Sequence, residues 1–365
     1  MNNLRIYIIG AGVIGRTHAE AAKKLSEHIQ LRAADPNPAA LEAFCSQFPE
    51  TIGFTNMEEM LNSETAQNDD IVIVCTPPMA HFDPTRLSIE SGRHVLCEKP
   101  LAMNGAQAKE MVQLAKKHNR LLGCCSVRFK GMPHMEAVKK VIKSGALGEI
   151  YHVTFVNKWE RSRSGIEYQS QSRWFLDSTL SGGGVLMDWG PYDFATLNDI
   201  LNPTSIEVNS AWTARPQTEI DPLDTPFDVE THVGAFMTFN NSTHPIHVHY
   251  ERASCSHGES YVRAEIEGTL GSLRWTPFDS RQPVFLRYDK QGQIVEEKVE
   301  TGPRSEYTIF DNPLLHFYQN VKGRKSHANV NEQALNNFLC LTAVYTTAET
   351  GQTQLVEMVQ KGVKL

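Results

Sequence analysis

The sequence lacks the features that mark membrane, secreted and nucleic-acid-binding proteins. No apolar run approaches the roughly 18 residues of a membrane-spanning helix, and a strand-like segment begins almost at once, so we expect no membrane span and no secretory signal. The formal net charge is −7, whereas a nucleic-acid-binding protein is usually basic, so no nucleic-acid partner is expected. Long like-charge runs, internal repeats and low-complexity linkers are also missing.

Metal and disulfide patterns are equally scarce. The 7 cysteines form no C-x-x-C pair and are odd in number, so neither a metal site nor a disulfide framework is expected. Several lie in apolar strand-like runs, where a thiol behaves as a small hydrophobe, and a reducing, cytoplasmic setting is the simplest interpretation. His247 and His249 share one strand face near His244, but no carboxylate or cysteine completes a ligand set, so we interpret all three as ordinary strand residues and predict no metal.

The length predicts two domains, because 365 residues are many for a single hydrophobic core. Strands and helices alternate over residues 1–123, which predicts a doubly wound parallel sheet. Strand-like runs with few intervening helices fill residues 124–365. They predict a second α/β domain with a large, mainly antiparallel open sheet.

A glycine-rich turn near the N-terminus is the first sign of function. An apolar strand over residues 4–9 runs into Gly10-Ala11-Gly12-Val13-Ile14-Gly15, and a helix-like segment follows. Strand, glycine turn and helix form the context that the dinucleotide-binding G-x-G-x-x-G pattern requires. Gly10 permits the turn, Gly12 lets a pyrophosphate approach the backbone, and Gly15 lets the helix pack on the strand. Val13 and Ile14 lie at the helix N-terminus, where N–H groups face the phosphates.

Asp35 supports the same interpretation. It ends a second predicted strand, over residues 29–34, about where a dinucleotide fold places the acid that binds the ribose 2′-OH. A carboxylate there favours NAD and repels the 2′-phosphate of NADP, although NADP is not excluded. The alternative is that Asp35 only caps the helix beginning near residues 36–38.

Several further motifs make the chain similar to one known family, the glucose–fructose oxidoreductase / inositol dehydrogenase (Gfo/Idh/MocA) oxidoreductases. These motifs, in order, are Gly10 to Gly15, Asp35-Pro36-Asn37-Pro38, Cys75-Thr76-Pro77-Pro78 with His81, Glu98-Lys99-Pro100, Gly182 to Gly190, Gly268 to Leu273, and Ala348-Glu349-Thr350-Gly351. The resemblance implies an N-terminal Rossmann NAD(P)-binding domain at residues 1–123. It also implies a substrate-binding and oligomerisation domain at residues 124–365, and hence a homodimer or homotetramer.

One position departs from the commonest family pattern. Many members have Asp-x-Gly-x-His where this chain has Asp188-Trp189-Gly190-Pro191-Tyr192. A tyrosine there resembles the glucose–fructose oxidoreductase, pentose dehydrogenase and sugar-ketoreductase branch. It argues against an inositol dehydrogenase but leaves the reaction class unchanged.

The resemblance supplies three candidate catalytic residues: Lys99, Asp188 and Tyr192. Tyr192 is the candidate for proton transfer. A free phenol has a pKa near 10, and a nearby Lys99 ammonium would favour the phenolate. Asp188 would accept a hydrogen bond from a substrate hydroxyl or orient Lys99. The alternatives are that Lys99 is a surface lysine, that Tyr192 only packs beneath a helix over residues 194–201, and that Asp188 caps that helix near Pro191.

Further candidates line the predicted cofactor and substrate sites. On the cofactor side they are Thr76, Pro77, His81, Glu98, Lys99 and Arg128. On the substrate side, Lys158, Arg173 and Trp174 would join the catalytic three, because an indole face with charged donors suits a polyol. A solvated or core position is the alternative for each of these supporting residues.

Together these features predict an NAD(P)-dependent oxidoreductase that acts on a secondary alcohol or ketone of a sugar, sugar derivative or polyol. Two alternatives share the cofactor residues: an NAD-dependent glycoside hydrolase on the same fold, and a non-catalytic dinucleotide-binding regulator. Reduction of biliverdin or a dihydrodiol, also found among relatives of the family, is a weaker third. The sequence does not name the sugar, the carbon oxidised or the direction, because fold does not determine function.

Overall fold

A computed structural model describes residues 4–25, 28–160, 170–219, 221–222, 224–241, 243–303 and 305–358. The chain divides into two compact units, each made of two stretches of sequence. The first unit comprises Met1–Arg128 and Tyr307–Phe338, and the second comprises Phe129–Glu306 and Leu339–Leu365.

Within the described residues, the first unit is built on six parallel strands. The elements up to its last strand are β1 (Leu4–Ile9), α1 (Val13–Lys23), β2 (Ile29–Ala34), α2 (Pro38–Gln47), β3 (Ile52–Phe54), α3 (Met57–Asn62), β4 (Ile71–Val74), α4 (Phe82–Glu90), β5 (His94–Cys97), α5 (Gly105–Lys117) and β6 (Leu122–Cys124). The strand order β3-β2-β1-β4-β5-β6 is that of a doubly wound Rossmann sheet.

Local sequence explains most of these elements. Strands β1, β4 and β5 are buried along their whole length, as expected for parallel strands covered on both faces. Asparagine side chains cap α2, α3 and α5 by accepting backbone N–H bonds. Strand β3 was not predicted, because it has only three residues and two of them are exposed.

The second unit contains nine strands in one sheet within the described residues. Its elements are α6 (Pro133–Lys143), β7 (Ile150–Lys158), α7 (Ser178–Ser181), α8 (Val185–Leu201), β8 (Ser205–Ala214), β9 (His232–Asn240), β10 (Ile246–Ala253), β11 (Tyr261–Gly268), β12 (Gly271–Trp275), β13 (Val284–Lys290), β14 (Gln293–Val299) and β15 (Gln354–Glu357). The order is β14-β13-β12-β11-β7-β10-β9-β8-β15, and β7 with β10 is its parallel pair. The predicted fold class is therefore confirmed in both parts.

The sheet of the second unit has one covered face. Along β10, Val248, Tyr250 and Arg252 are buried while His247 is exposed on the opposite face, which is the alternation of a half-covered strand. Helix α8 packs against β9 and β10, and Phe194 and Leu197 within it are fully buried. No helix among the described residues is both long and apolar enough to cross a bilayer.

The chain returns to the first unit late in the sequence. Helix α9 (Asn312–Val321) places Leu314 and Phe317 in the core of the Rossmann sheet. Helix α10 (Glu332–Thr350) has its residues divided between the two units. The sequence-based boundary at residues 123 and 124 assigns the segment 307–338 to the second domain. The first compact unit instead includes the segment 307–338, because apolar side chains of this segment complete the core of that unit.

Contacts across β6 show how closely this segment is joined to the sheet. The Leu122 N–H donates to Asn331 Oδ1 at 2.9 Å, and the Asn331 N–H donates to the Leu122 carbonyl at 2.8 Å. Gly123 leaves room for the Phe317 ring, whose Cδ2 would lie 2.5 Å from an added Cβ. The segment therefore covers the last strand of the sheet.

Helix α8 differs most from its prediction. It was expected over residues 194–201, with Asp188 as a possible cap near Pro191. It begins nine residues earlier, at Val185, with Gly184 as its N-cap and Pro191 inside the helix. The cap hypothesis for Asp188 is therefore wrong, because Asp188 lies in the first turn and its N–H donates to the Gly184 carbonyl at 3.0 Å.

Candidate active site

The glycine turn of the first unit is closely packed at two of its three glycines. Gly10 has φ +100°, and an added Cβ would lie 2.9 Å from the carbonyl group of Cys75 at the end of β4. An added Cβ on Gly15 would overlap the Gly10 carbonyl oxygen. These glycines let strand, turn and helix approach closely, as predicted.

Gly12 is different because it faces open space. It is the N-cap of α1, and among the described residues no atom lies within 4 Å of a Cβ built on it. Helix α1 has neither a side-chain cap nor an acidic residue in its first turn, and Val13 is 67% exposed. Exposed N–H groups at the positive end of a helix dipole suit a pyrophosphate. The residues present therefore fit a dinucleotide.

Asp35 binds the same turn from the end of β2. Its Oδ2 accepts the Ala11 N–H at 2.8 Å, and its Oδ1 accepts the Asn37 N–H at 2.8 Å. The cap of α2 is Asn37, whose side chain accepts from the Ala39 N–H at 3.0 Å. The hypothesis that Asp35 only caps this helix is therefore wrong, and its carboxylate lies at the glycine turn.

The turn after β4 is held by a buried histidine. His81 Nε2 lies 2.9 Å from the Thr76 carbonyl oxygen, and its Nδ1 lies 2.8 Å from the Pro100 carbonyl oxygen. Burial lowers the pKa of His81, and the two carbonyl groups oppose that shift. Thr76 Oγ1 donates to the Ala80 carbonyl at 2.8 Å, while Pro77 is exposed. His81 thus ties together the turns after β4 and β5.

Glu98, directly after β5, is the centre of a buried charge cluster. Its Oε1 lies 2.8 Å from His18 Nε2 and accepts from Arg128 Nη2 at 2.9 Å, and its Oε2 accepts the Lys99 N–H at 3.0 Å. Burial alone would raise the pKa of Glu98, but the Arg128 guanidinium and the His18 ring hold it well below its usual range. The carboxylate therefore fixes the turn that carries Lys99.

Lys99 itself lies at the carboxyl end of β5, in the half-buried position that follows Glu98. The peptide bond to Pro100 is cis. Strand β5 lies between β4 and β6, and the carboxyl ends of such strands border the ligand crevice of doubly wound sheets. The structure thus places Lys99, Thr76 and the glycine turn along one edge of the first unit.

Glu98 is one of three potential metal ligands that lie close together. The ligand atoms of His18, Glu98 and Cys125 all lie within 4.8 Å of one another. Two features oppose a divalent cation there. The Arg128 guanidinium already occupies Glu98 Oε1, and burial together with the Glu98 charge raises the pKa of the Cys125 thiol well above its usual value.

Helix α8 carries the two candidate residues of the second unit. Asp188 and Tyr192 are four residues apart in it, so their side chains project from the same helix face. The Tyr192 ring makes edge contacts with Phe129 at 5.5 Å and with Trp189 at 5.7 Å between centroids. Tyr192 is only 4% exposed, so its ring is held by packing.

A buried ion pair lies behind this aromatic cluster and was not predicted from the sequence. Arg252 makes a two-pronged contact with Asp193, and Tyr250 donates to Asp193 Oδ2 at 2.8 Å. Burial raises the pKa of Asp193, and the guanidinium opposes that shift. The Arg252 guanidinium also lies over the Trp189 ring, 5.1 Å from its centroid. Charge and aromatic packing together fix the α8 face that bears Tyr192.

Glu230 and Tyr345, which were not predicted from the sequence, form hydrogen bonds at the start of α8. Glu230 Oε2 accepts the Gly184 N–H at 2.8 Å, and its Oε1 accepts the Leu186 N–H at 2.9 Å. The Tyr345 hydroxyl donates to Glu230 Oε1 at 2.8 Å. The backbone turns sharply just before the helix, with φ of +80° at Gly182 and +152° at Gly183.

The predicted substrate residues have specific neighbours. Lys158 ends β7, and its Nζ would lie 3.3 Å from a Cβ added to Gly258. Arg173 Nη1 donates to both Asp224 carboxylate oxygens at 2.9 Å in a half-exposed pair. The Trp174 ring stacks on Phe175 with centroids 3.9 Å apart. Two of these three side chains are therefore already engaged within the second unit.

A Rossmann unit with an open glycine turn, in one chain with a large and mostly antiparallel sheet, defines a two-part dinucleotide-binding α/β protein. Comparison with family models is more specific. Residues 4–126 match the oxidoreductase family with an NAD-binding Rossmann fold, and residues 135–274 match the GFO/IDH/MocA C-terminal domain. The chain belongs to the GFO/IDH/MocA oxidoreductase family. It is an enzyme, and its first unit contains an NAD-binding Rossmann domain.

Curated relatives are similar over different lengths. Levoglucosan dehydrogenase of Pseudarthrobacter phenanthrenivorans is 26% identical over 343 residues, 84% of this chain and 82% of that protein. D-glucoside 3-dehydrogenase of Escherichia coli is 30% identical over 188 residues, 51% of each chain. Both names describe dehydrogenases, in agreement with the family.

Solved structures share the fold. A levoglucosan dehydrogenase in complex with NADH and L-sorbose has a TM-score of 0.79 at 21% identity, covering 98% of this chain and 100% of that one. The aldose-aldose oxidoreductase from Caulobacter crescentus has a TM-score of 0.75 at 22% identity, covering 97% and 99%. At these identities the likeness concerns the architecture of the chain.

Proposed function

We propose that the protein transfers a hydride between NAD and a secondary alcohol or ketone of a sugar, sugar derivative or polyol. The observation that supports this most is the pairing of Asp188 and Tyr192 on one face of α8, in a chain with an NAD-binding domain. The names of relatives support the substrate class, since they include levoglucosan dehydrogenase, D-glucoside 3-dehydrogenase and 1,5-anhydro-D-fructose reductase.

In this proposal the turn around Gly12 binds the pyrophosphate and Asp35 binds the adenosine ribose. Gly10, Val13, Ile14 and Gly15 shape that turn, and the remaining cofactor-side residues are Thr76, Pro77, His81, Glu98, Lys99 and Arg128. The geometry supports direct contact best for Gly12 and Val13, which are open. His81 and Glu98 act through the turns that they hold, because both are buried and bonded to protein atoms. The Asp35 carboxylate favours NAD over NADP.

The chemical step divides between two tasks. A bound nicotinamide supplies the hydride acceptor or donor. Tyr192 exchanges the proton with the substrate oxygen, and the Lys99 ammonium stabilises negative charge on that oxygen and on the phenol. Asp188 accepts a hydrogen bond from the substrate hydroxyl and so orients it. Lys158, Arg173 and Trp174 bind the other hydroxyls.

Assembly and location belong to the same proposal. The open face of the sheet in the second unit exposes Trp212, Phe236 and Leu355 by 44%, 57% and 58%, which supports a homodimer or homotetramer. The cysteines are free thiols, which supports a reducing, cytoplasmic compartment. Sedimentation at micromolar concentration tests the assembly, and a monomer alone would contradict it.

The function itself is tested by screening sugars and polyols with NAD and NADP and following the absorbance of the reduced nicotinamide. On the best substrate, Tyr192→Phe keeps the packed ring and removes the transferable proton, so kcat should fall by about 10²–10⁴ while NAD affinity stays unchanged. A Tyr192→Phe enzyme with wild-type kcat, and with a deuterium isotope effect showing that chemistry limits the rate, would contradict the assignment.

The same screen separates the alternatives. A glycoside hydrolase would release p-nitrophenol from a p-nitrophenyl glycoside without net NADH, whereas a dehydrogenase produces NADH from the free sugar. A regulator would bind NAD, measured by intrinsic fluorescence, and turn over neither class of compound.

A further inference from the structure

The first turn of α8 is closed by a single acidic residue from a distant part of the chain. Glu230 accepts the Gly184 and Leu186 N–H groups through its two carboxylate oxygens. Its backbone carbonyl accepts the Val185 N–H at 3.0 Å. Three consecutive N–H groups that would otherwise lack partners at a helix start thus bind one residue.

The glycine run before α8 is shaped around this residue and Tyr345. A Cβ added to Gly184 would overlap the Glu230 carbonyl oxygen, and one added to Gly183 would overlap the Tyr345 hydroxyl. Tyr345 belongs to α10, and its hydroxyl donates to Glu230 Oε1. Gly183 and Gly184 therefore allow Tyr345 and Glu230 to approach the backbone closely.

Glu230 has an unusual electrostatic environment for a half-buried carboxylate. Among the described residues no lysine, arginine or histidine side chain forms an ion pair with it, and its partners are backbone N–H groups and a phenol. Burial raises the pKa of Glu230, and the Leu186 N–H, the Tyr345 hydroxyl and the Gly184 N–H oppose that shift. The positive charge that it faces is the helix N-terminus, equivalent to roughly half an elementary charge.

We propose that Glu230 is a positioning residue for the reaction: its carboxylate fixes the entry of α8 and balances the positive helix end beside Asp188 and Tyr192. This inference rests on the proposed function, because it gives those two residues their roles. Asp188 lies two residues beyond Leu186 and Tyr192 six residues beyond it, a rise of about 9 Å along the helix for the latter. At a separation of roughly 9 Å, a unit charge inside a protein shifts a proton equilibrium by about one pH unit.

The sharpest variant is Glu230→Gln, which keeps the shape and removes the charge. Without that negative charge the ionised form of the proton-transfer group is easier to form. The rising limb of kcat/KM for alcohol oxidation should therefore move to lower pH by about 0.5–1 unit. Glu230→Asp keeps the charge and should leave the limb in place, although its shorter side chain lowers stability. An unmoved limb in Glu230→Gln would overturn the inference.

Asp228 offers a matched control. It lies two residues before Glu230 and accepts the Ser178 N–H at 2.8 Å and the Ser178 hydroxyl at 2.7 Å, at the start of α7. Asp228→Asn also removes one negative charge but leaves α8 untouched, so its pH profile should match wild type. An equal shift in this control would show a general charge effect and would also overturn the inference.

Tyr192→Phe separates failure of the inference from failure of the proposed function. If the limb reports Tyr192, it should disappear in Tyr192→Phe. A limb that persists there contradicts the proposed function. A limb that disappears there, but does not move in Glu230→Gln, contradicts only the role of Glu230.

A second variant keeps the test decisive should Glu230→Gln fold poorly. Glu230→Ala opens space at the helix start, and added formate or acetate should restore kcat by about tenfold relative to chloride at equal ionic strength. NAD affinity should stay unchanged throughout, because Glu230 is not among the cofactor-side residues. Absence of rescue in folded Glu230→Ala would overturn the inference.

Discussion

Helices α1 and α8 both begin after glycine-rich turns, but the glycines of the two turns have different neighbours. Gly12, before α1, has open space where a side chain would be. Gly184, before α8, has the Glu230 backbone there instead. Glycine at a helix start thus indicates a close approach without saying by what. In α1 the space is available to a ligand, and in α8 it is filled by the backbone carbonyl of Glu230.

The carboxylates that contact these two helices, Glu98 and Glu230, also differ in what balances their charge. Glu98 reaches the flank of α1 through His18 and pairs with Arg128, and its pKa is held well below the usual range. Glu230 lies at the N-terminus of α8, no lysine, arginine or histidine of the described part of the chain pairs with it, and burial raises its pKa. A full charge stabilises a buried carboxylate more than a helix end does.

The largest expected effect follows from removing the charge on Glu98. Glu98→Gln removes the negative charge that the partly buried Arg128 guanidinium contacts and should cost about 3–5 kcal/mol of unfolding free energy at pH 7. Because the folded-state pKa of Glu98 is depressed, its contribution is present above the unfolded value near 4.5 and is lost as pH falls through the folded one. Urea unfolding of both proteins from pH 7 to pH 3 should show the difference shrinking in acid. A constant difference would contradict this.

Gly12→Val should separate ligand binding from folding. The new side chain meets no described atom near its Cβ, so thermal unfolding without cofactor should change little. It would occupy the space in front of the α1 N–H groups and weaken NAD binding by about 1.5–3 kcal/mol, the cost of losing charged hydrogen bonds. Fluorescence titration with NAD measures this, with Gly12→Ala as the smaller step. Unchanged affinity would place the pyrophosphate elsewhere.

Gly184→Ala should give the reverse outcome. Its Cβ overlaps the Glu230 carbonyl oxygen, and relief of that overlap should cost about 1–3 kcal/mol of unfolding free energy. NAD affinity should remain at the wild-type value, because Gly184 is not among the cofactor-side residues. Parallel urea unfolding and NAD titration would check both parts, and a fully stable variant would mean that Glu230 moves aside easily.

The smallest expected effect concerns cofactor choice. Asp35→Ala removes the carboxylate that accepts the Ala11 and Asn37 N–H groups. The preference for NAD over NADP should narrow by about 1–2 kcal/mol, as a charged hydrogen bond and a repulsion are both lost. Titration of wild type and variant with both cofactors measures the change. A wild-type protein that prefers NADP would contradict the role of Asp35.

The α1 region could be predicted from the sequence because its determinants are local. Glycine spacing, flanking strands and Asp35 all lie within the first 35 residues, and each structural expectation for the turn agrees with the geometry. The start of α8 could not be predicted in the same way. Glu230 is 46 residues from Gly184 in the sequence, and Tyr345 is 115 residues from Glu230. No local sequence pattern pairs residues so far apart.

Missed elements have simpler causes. Strand β14 is mostly exposed, so it lacks the apolar alternation that identifies a half-buried strand. Helix α9 is short, although Pro313 near its start is a signal that could have found it. Among the site residues, Arg173 pairs with Asp224, which is 51 residues away in the sequence, so only the fold brings these two side chains together.

The return of residues 307–338 to the first unit has a consequence for synthesis of the chain. A ribosome releases the strands of the Rossmann sheet first, but Leu314 and Phe317, which complete its core, emerge about 190 residues later by position in the sequence. Domains generally fold as units while the chain is made, and here the amino-terminal unit is complete only once residues 307–338 have been made. Until then Phe317 does not cover β6 at Gly123. A nascent chain halted before residue 307 therefore exposes apolar surface that chaperones recognise.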